Sequence, residues 1–323
     1  MRAVITGATG LLGRHIAAAL KDQDWNITAI VRETSDRSFL NQLGVQFHIA
    51  DLSRDEALVP EMFRNADVVF HCAAAVTDWA PWPYFVAHTI DATRRVCDAM
   101  TAAGCRRLVH VSTVGVYGRP RVASPLREDQ PHSSIGRWDY YTNSKIAAER
   151  IVRAQQHLDV TILRPAMIYG PGPHGLIARV ADYLRTGKAA IAGDPAVTLP
   201  LIHVEDVARA AVLAATTPAA VGEAFNIVNP EPVTQTDFFN TIASLLGLSA
   251  VTKRIPYPLA YGVGFLAEIV AHATRSAAPP VFSRYRVSLF GHQRRYAIEK
   301  AVATLRWQPQ VAFRDGIRQT IAT

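Results

Sequence analysis

Tyr141 and Lys145 stand four residues apart in "YYTNSKIAAER" (Tyr140 to Arg150), a stretch whose composition reads as helix. Residues at that spacing share one helical face, so a phenol and an ammonium would point the same way. Tyr140 is turned about 100° from Tyr141 around such a helix, so spacing selects Tyr141. A free phenol titrates near ~10. A neighbouring ammonium favours the phenolate and is expected to lower that value, making Tyr141 a proton donor or acceptor near neutral pH. A tyrosine–lysine pair of this kind is common by chance. It gains meaning if the chain also supplies a hydroxyl and a ligand site. "VHVSTVGVYG" offers the hydroxyls, because Ser112 and Thr113 follow an apolar run that reads as a strand. A hydroxyl at a strand's C-terminal end can hydrogen-bond a carbonyl or alkoxide beside Tyr141.

The ligand site is legible at the start of the chain. "RAVITGATGLLGRHIAAAL" reads strand, glycine turn, helix, with glycines at Gly7, Gly10 and Gly13. The first permits the tight turn, the second a close approach to a pyrophosphate, the third close packing of helix on strand. The helix N-terminus presents free N–H groups to phosphate. Thr9, Leu11 and Leu12 complete this cofactor-binding turn. The second strand, "WNITAIV", ends at Arg32. An acidic residue there would hold the ribose 2′-hydroxyl of NAD, whereas arginine suits a 2′-phosphate. With Ser35 and Arg37 close behind, NADP(H) is the expected cofactor and NAD(H) the alternative. Asp51, followed by Leu52, is placed to reach the adenine. Ala73, Ala74 and Ala75 in "FHCAAA" are small enough for a cofactor to lie over the fourth strand end, and Ser112 joins them on the cofactor side.

The elements that must position these groups alternate. Arg2–Thr6, Ile27–Val31, Val45–Ala50, Asp67–His71, Arg107–Ser112 and Val160–Arg164 read as strands. Leu11–Lys21, Tyr84–Ala103 and Tyr141–Gln156 read as helices. Apolar strands alternating with helices predict an α/β fold, a Rossmann doubly wound parallel sheet. After Pro165 loops rich in proline and glycine take over. The expected division is residues 1–165 plus about 201–228 for the dinucleotide, and 166–200 plus 229–323 for a smaller, mostly helical C-terminal substrate lobe. Residues 118–139 have no clear period, and a loop of that length is uncommon unless functional, so it reads as part of the substrate entrance.

Composition bounds the rest. The chain has 323 residues, 49% hydrophobic and 19% charged, which is a globular profile. Cys72, Cys97 and Cys105 are too few and scattered for a disulfide framework or a zinc site, and no metal is expected. No secretory pattern opens the sequence, so a cytoplasmic location is expected. The net charge of +7 is uneven, because residues 251–323 hold 11 Lys/Arg against 3 Asp/Glu. Such a segment suits an anionic partner or a solvated surface. Nucleic acid would rest on charge alone and is set aside. The longest apolar stretch, Ile255 to Ala273, contains prolines and Glu268 and makes a poor membrane span. It reads as a buried or lid helix, with a membrane-surface helix as the other reading.

Taken together, "TGATGLLG", "FHCAAA", "STVGVYG", "YTNSK", "LRPAMIYGPG" and "IHVEDVARA" resemble, in order, an extended short-chain dehydrogenase/reductase of the epimerase/dehydratase superfamily. The resemblance makes Thr113 the catalytic hydroxyl, Tyr141 the acid/base and Lys145 a partner that also holds the nicotinamide ribose, with Pro165 and Ile168 packed near the nicotinamide. It also implies a homodimer, through a four-helix interface of the Tyr84–Ala103 and Tyr141–Gln156 helices. Nucleotide-sugar epimerases carry an asparagine where this chain has Met167 and an arginine where it has Leu199. Losing both leaves a buried diphosphate without partners. The chain instead resembles the 3β-hydroxysteroid dehydrogenase and dihydroflavonol-reductase-like branch. Thr89 departs from the family's frequent asparagine, leaving its part in the site open. The expected function is ketone–alcohol interconversion on a mainly apolar or amphipathic substrate, such as a sterol, a polyketide or flavonoid-like ring system, or a long-chain β-keto acid. The alternative is a nucleotide-sugar epimerase or dehydratase that retains NAD.

Overall fold

The computed structural model describes residues 1–54, 58–118, 124–172, 175–274, 276, 280 and 283–322. Its strands are β1 (Arg2–Thr6), β2 (Asn26–Val31), β3 (Gln46–Ile49), β4 (Val68–His71), β5 (Arg107–Val111), β6 (Asp159–Pro165), β7 (Met167–Tyr169), β8 (Ile191–Ala192), β9 (Leu201–His203), β10 (Ala224–Ile227) and β11 (Arg254–Ile255). Its α-helices are α1 (Leu11–Lys21), α2 (Ser38–Gln42), α3 (Trp82–Phe85), α4 (Ala92–Ala102), α5 (Tyr140–Arg153), α6 (Leu176–Arg185), α7 (Val204–Thr216), α8 (Gln235–Leu245), α9 (Tyr257–Ala273), α10 (Arg284–Phe290), α11 (Glu299–Leu305) and α12 (Phe313–Ala322).

Seven strands form one sheet in the order β3-β2-β1-β4-β5-β6-β10, every neighbouring pair parallel. The direction of winding reverses between β1 and β4, and ligands of open α/β sheets bind at that switch point, outside the carboxyl ends of the strands. Both faces are covered. Ile16 and Leu20 of α1 and Val207 and Ala211 of α7 pack on one face, and Val96 and Met100 of α4 and Val152 of α5 on the other. That two-sided burial explains why the strands read as continuous apolar runs. A third cluster, with Tyr169, Ile177, Phe238 and Phe313, is the core of the C-terminal part.

The six strands expected from sequence are present with ends shifted by one residue at most. The expected helix over Tyr84–Ala103 is instead α3, a π-helical turn over Val86–Asp91, and α4. π turns inside helices gather at functional sites. Strands β7 to β11 escaped the reading, since segments of two to four residues carry no measurable period. Of the long loop, residues 119–123 lie outside the described residues. The remainder is pinned rather than structureless: Leu126 donates to the Arg295 carbonyl at 2.9 Å, and Ser133 to the Val116 carbonyl at 2.8 Å.

The expectation of a buried helix at α9 does not hold. Its buried residues are Ala260, Gly264, Glu268 and Ala271, while Leu259, Val263, Leu266 and Val270 are exposed. The face toward α10 is built from these small side chains and the ion-paired Glu268, with Tyr257 and Tyr261 packed on Ala260 and Val287 at one end and Phe265 under the Arg284 guanidinium, while the aliphatic groups stay outside. Among the described residues no helix is long and apolar enough to cross a membrane.

Candidate active site

The C-terminal ends of β1, β4 and β5 gather the candidate residues. Gly7 leaves β1 at φ +68°, and a β-carbon there would lie 2.7 Å from the Ala73 nitrogen. A β-carbon on Gly13 would lie 2.3 Å from the Gly7 carbonyl oxygen. The turn therefore tolerates no side chain at either position. Gly10 caps α1 without any side-chain hydrogen bond and no acid occupies the first turn, so the first N–H groups of the helix stay open to an anion. This cradle fits a dinucleotide pyrophosphate. Thr9, Leu11 and Leu12 flank it, with Leu12 buried against the core.

Arg32 follows the last residue of β2 and is exposed, and its carbonyl accepts from the Ser35 amide at 3.0 Å, which turns the chain back at Ser35. Arg37 lies over the Phe47 ring at 5.9 Å. Partial burial opposes ionisation of Asp51, yet hydrogen bonds from Ser53 and the charges of His88 and Arg32 hold its carboxyl below its ordinary value. Asp51 and Arg32 thus share one side of the site, with Leu52 buried beneath.

The floor under Ala73–Ala75 is a buried hydrogen-bond chain. The Ala73 amide donates to Thr6 Oγ1 at 3.4 Å, and Thr6 lies 2.7 Å from His71 Nδ1. His71 Nε2 lies 3.0 Å from Thr93 Oγ1, which donates to the Thr89 carbonyl at 2.6 Å. Thr89 Oγ1 accepts from the Ala75 amide at 3.0 Å. Because the Thr93 proton is committed to Thr89, His71 must donate from Nε2 and accept at Nδ1, which assigns the neutral tautomer. Burial and the nearby Lys145 charge bring His71 down to about 3, so it stays neutral. Threonine at 89 therefore still orders the strand end, a role that sequence left open.

Tyr141 and Lys145 project from the first turns of α5, whose N-terminus is capped by Asp139 accepting from the Thr142 amide at 3.2 Å. Thr113 Oγ1 accepts from the Gly115 amide at 3.1 Å. Its own proton is thereby free to meet the Tyr141 oxygen, and that bond favours the phenolate. Burial nonetheless pushes Tyr141 up to about 12, aided by the Asp139 charge. Lys145 Nζ donates to the Val111 carbonyl at 2.8 Å, and burial brings it down to about 8. Here the structure corrects the expected lowered phenol: desolvation dominates, and the amine expected to lower it is itself buried and directed at a carbonyl. Tyr140 faces elsewhere, with its ring 5.6 Å from Trp82. Ser112 is buried, its amide donating to the Leu163 carbonyl at 2.7 Å. Pro165 ends β6 in the core, while Ile168 is half-buried on β7 opposite Ile202.

Sequence reasoning missed the network behind α5. Glu149 and Arg164 are 0% and 1% exposed and bonded twice, Nε to Oε1 at 3.0 Å and Nη2 to Oε2 at 2.8 Å. His132 Nε2 lies 2.7 Å from the guanidinium and 3.2 Å from the carboxylate. Arg164 also donates to Tyr117 at 2.6 Å, and Tyr117 to Asn226 at 2.7 Å. Burial alone would raise Glu149, but hydrogen bonding to His132 and Arg164 and the guanidinium charge hold it well below the carboxylate range. A signal existed: Glu149 follows Lys145 by four and Tyr141 by eight, on the same helical face. Tyr285 on α10 was missed as well. Burial raises its phenol well above the ordinary value, and Tyr141, Asp139 and Asp78 add to the effect. Asp78 ties α10 to the β4 loop through Arg286 at 2.6 Å, and Arg284 lies over Trp138 at 4.5 Å.

The sequence signature of the NAD dependent epimerase/dehydratase family matches residues 3–228. The chain belongs to this family. The family member described here is 29% identical to a 2-alkyl-3-oxoalkanoate reductase of Shewanella oneidensis, over 99% of this chain and 86% of that protein. It is 28% identical to the mouse (Mus musculus) sterol-4-alpha-carboxylate 3-dehydrogenase, decarboxylating, over 99% of this chain and 90% of that one. These matches agree with the 3β-hydroxysteroid dehydrogenase-like branch, and with an NAD(P)-dependent enzyme that acts on CH–OH groups. Among solved structures, gox2253 superposes with a TM-score of 0.81 at 25% identity, covering 99% of this chain and 96% of that one. A Bacillus cereus UDP-glucuronic acid 4-epimerase with NAD reaches 0.77 at 22% identity, covering 100% of this chain and 98% of that one, a likeness of fold.

Two stability outcomes are expected. Glu149→Gln leaves a buried guanidinium uncompensated and lowers unfolding free energy by ~3–5 kcal/mol in urea, whereas Glu149→Gln with Arg164→Met recovers part of the loss. A cost under ~1 kcal/mol for the single change would show that the pair is dispensable. Acidification also destabilises the fold. Unfolded histidine takes up a proton below ~6.5, while folded His71 waits until about 3. Stability therefore falls by ~1.4 kcal/mol per pH unit per such histidine across that window. Denaturation midpoints that stay level between neutral pH and the lower end of the window would contradict this.

Proposed function

We propose that this enzyme is an NADP(H)-dependent reductase that converts the ketone of a mainly apolar β-oxo acid to a secondary alcohol. The observation that carries the reading is the placement of Tyr141 and Lys145 on one face of α5, beside the Thr113 hydroxyl and with Lys145 Nζ tied to the Val111 carbonyl at the end of β5. A protonated phenol beside a substrate carbonyl can deliver the proton that ketone reduction requires. A bound dinucleotide supplies the hydride. Gly7, Gly10 and Gly13 with the α1 N-terminus would hold its pyrophosphate, and Arg32, Ser35 and Arg37 its 2′-phosphate. Asp51 and Leu52 would flank the adenine, Ala73–Ala75 and Ser112 would line its path, and Pro165 and Ile168 would stand by the nicotinamide. Lys145 would hold the ribose. Thr113 orients the substrate oxygen and Tyr141 delivers the proton to it.

Residues 1–165 with 201–228 carry the cofactor side in this reading, and 166–200 with 229–323 the substrate side. Leu199 is 3% exposed in the core of the C-terminal part, and Met167 packs against the same cluster. Neither position offers a polar group to a diphosphate, which argues against a nucleotide-sugar substrate. The two relatives' names share one chemical pattern, oxygen at carbon 3 with a carboxylate on the adjacent carbon. That pattern, joined to an apolar body, is the substrate class favoured here, for a cytoplasmic homodimer.

A screen of 2-alkyl-3-oxoalkanoates, 3-oxosterols and neutral ketones, followed by NADPH and NADH absorbance, tests the proposal. NADPH-dependent turnover of the β-oxo acids is expected, with Tyr141→Phe reducing kcat ~10²–10⁴-fold in a folded protein. Undiminished turnover in Tyr141→Phe would remove the phenol from the chemistry. Arg32→Glu should shift preference from NADPH toward NADH, and an unchanged ratio of kcat/KM would exclude Arg32 as the phosphate ligand. With Lys145 at about 8, kcat is expected to fall as pH rises through that value and the ammonium charge is lost.

A further inference from the structure

Helix α9 is turned inside out relative to an ordinary surface helix. Leu259, Val263, Phe265, Leu266, Ile269 and Val270 are each 44–62% exposed. At ~100° per residue, Leu259, Val263, Leu266 and Val270 fall within about 60° of one another, and Ile269 widens the stripe on one side, toward Phe265, whose ring lies under the Arg284 guanidinium at 4.8 Å. The opposite side carries Ala260, Gly264, Glu268 and Ala271, which pack inward. A soluble protein rarely leaves so contiguous an apolar row uncovered on a single element.

The charges around the stripe indicate what covers it. Glu268, the only acid of α9, is turned inward and paired with Arg284 at 2.6 Å. Lys253 and Arg254, both exposed, immediately precede the helix. Asp194, beside the N-terminal turn, is one acid against these cations. A second copy laid along the stripe would bring no free acid of α9 to meet these cations, because Glu268 is turned inward and paired. Anionic headgroups above an apolar interior satisfy the cations and the stripe together. We propose that α9 docks this enzyme on an anionic lipid bilayer, lying in the interface with Leu259, Val263, Leu266 and Val270 inserted.

The docking face is the outer side of the helix that packs on α10, whose Tyr285 is close enough to Tyr141 for their charges to interact. Inward, α9 holds Arg284 through Glu268, and Arg284 covers Trp138, the residue before the Asp139 cap of α5. Trp79 of the β4 loop stacks on His272 of α9 at 4.5 Å. An enzyme seated this way would hold the α10 side of its site toward the membrane, where apolar molecules partition. Docking itself rests on the stripe and its charges, and stands whichever ketone is reduced.

The test is cosedimentation of the full chain with phosphatidylcholine vesicles, with and without phosphatidylglycerol, alongside sedimentation velocity without lipid. Binding to the phosphatidylglycerol vesicles is expected, lost on raising salt and lost in Leu259→Asp with Leu266→Asp, while circular dichroism and turnover of a water-soluble ketone stay at wild-type levels. Lys253→Glu with Arg254→Glu should abolish the preference for phosphatidylglycerol. The proposal is overturned if neither vesicle sediments the protein or if the aspartate variant binds like wild type. A lipid-free dimer that the aspartate variant converts to monomer would make a second copy the occupant and likewise overturn it.

Discussion

The buried ion pair between Glu149 and Arg164 is the constraint on which the site's geometry depends. Removing both charges from water is costly, and it is tolerable only because every remaining donor and acceptor finds a partner. Arg164 belongs to β6 in the sheet and Glu149 to α5. Two parallel bonds between a planar guanidinium and a carboxylate fix orientation as well as distance. The helix bearing Tyr141 and Lys145 is thus held against the sheet at one rotation. Lys145 adds a second tie, to the last residue of β5. A helix free to roll by one residue would exchange Tyr141 for Tyr140.

A second, neutral network does the equivalent work on the cofactor side. His71 bridges Thr6 at the end of β1 and Thr93 on α4, and the chain closes through Thr89 onto Ala75. Its polarity is compatible with burial because each group is matched, and the histidine remains uncharged. The π turn over Val86–Asp91 is what brings Thr89 to the strand end. One network thereby sets the position of Tyr141, and the other sets the strand-end surface at Ala73–Ala75 proposed above to face the dinucleotide.

Much of this was readable from residues alone, and for physical reasons. Strands buried on both faces announce themselves as apolar runs, glycines that admit no β-carbon stand out in a turn, and a four-residue spacing names one tyrosine of two. What was not readable depends on the third dimension. Arg164 finds Glu149 across two elements, and no local spacing marks that meeting. The phenol of Tyr141 was expected to be acidified by its lysine, because sequence reports the neighbour and not the desolvation that outweighs it. The apolarity of α9 was plain, but which of its faces turned outward was decided by packing on α10, where small residues, Tyr257, Tyr261 and the Glu268–Arg284 pair take the inner side. Strands such as β8 and β11 are too short to show a period at all.

The central claim is that the chain moves a hydride from a dinucleotide to a ketone carbon while Tyr141 protonates the oxygen, with net consumption of cofactor. The most direct test supplies NADPH deuterated at both C4 positions with a 2-alkyl-3-oxoalkanoate and follows the product by mass spectrometry. The account predicts one deuterium on the carbon bearing the new hydroxyl, with one NADPH oxidised per alcohol formed. Unlabelled product, or turnover without net oxidation of NADPH, would contradict it.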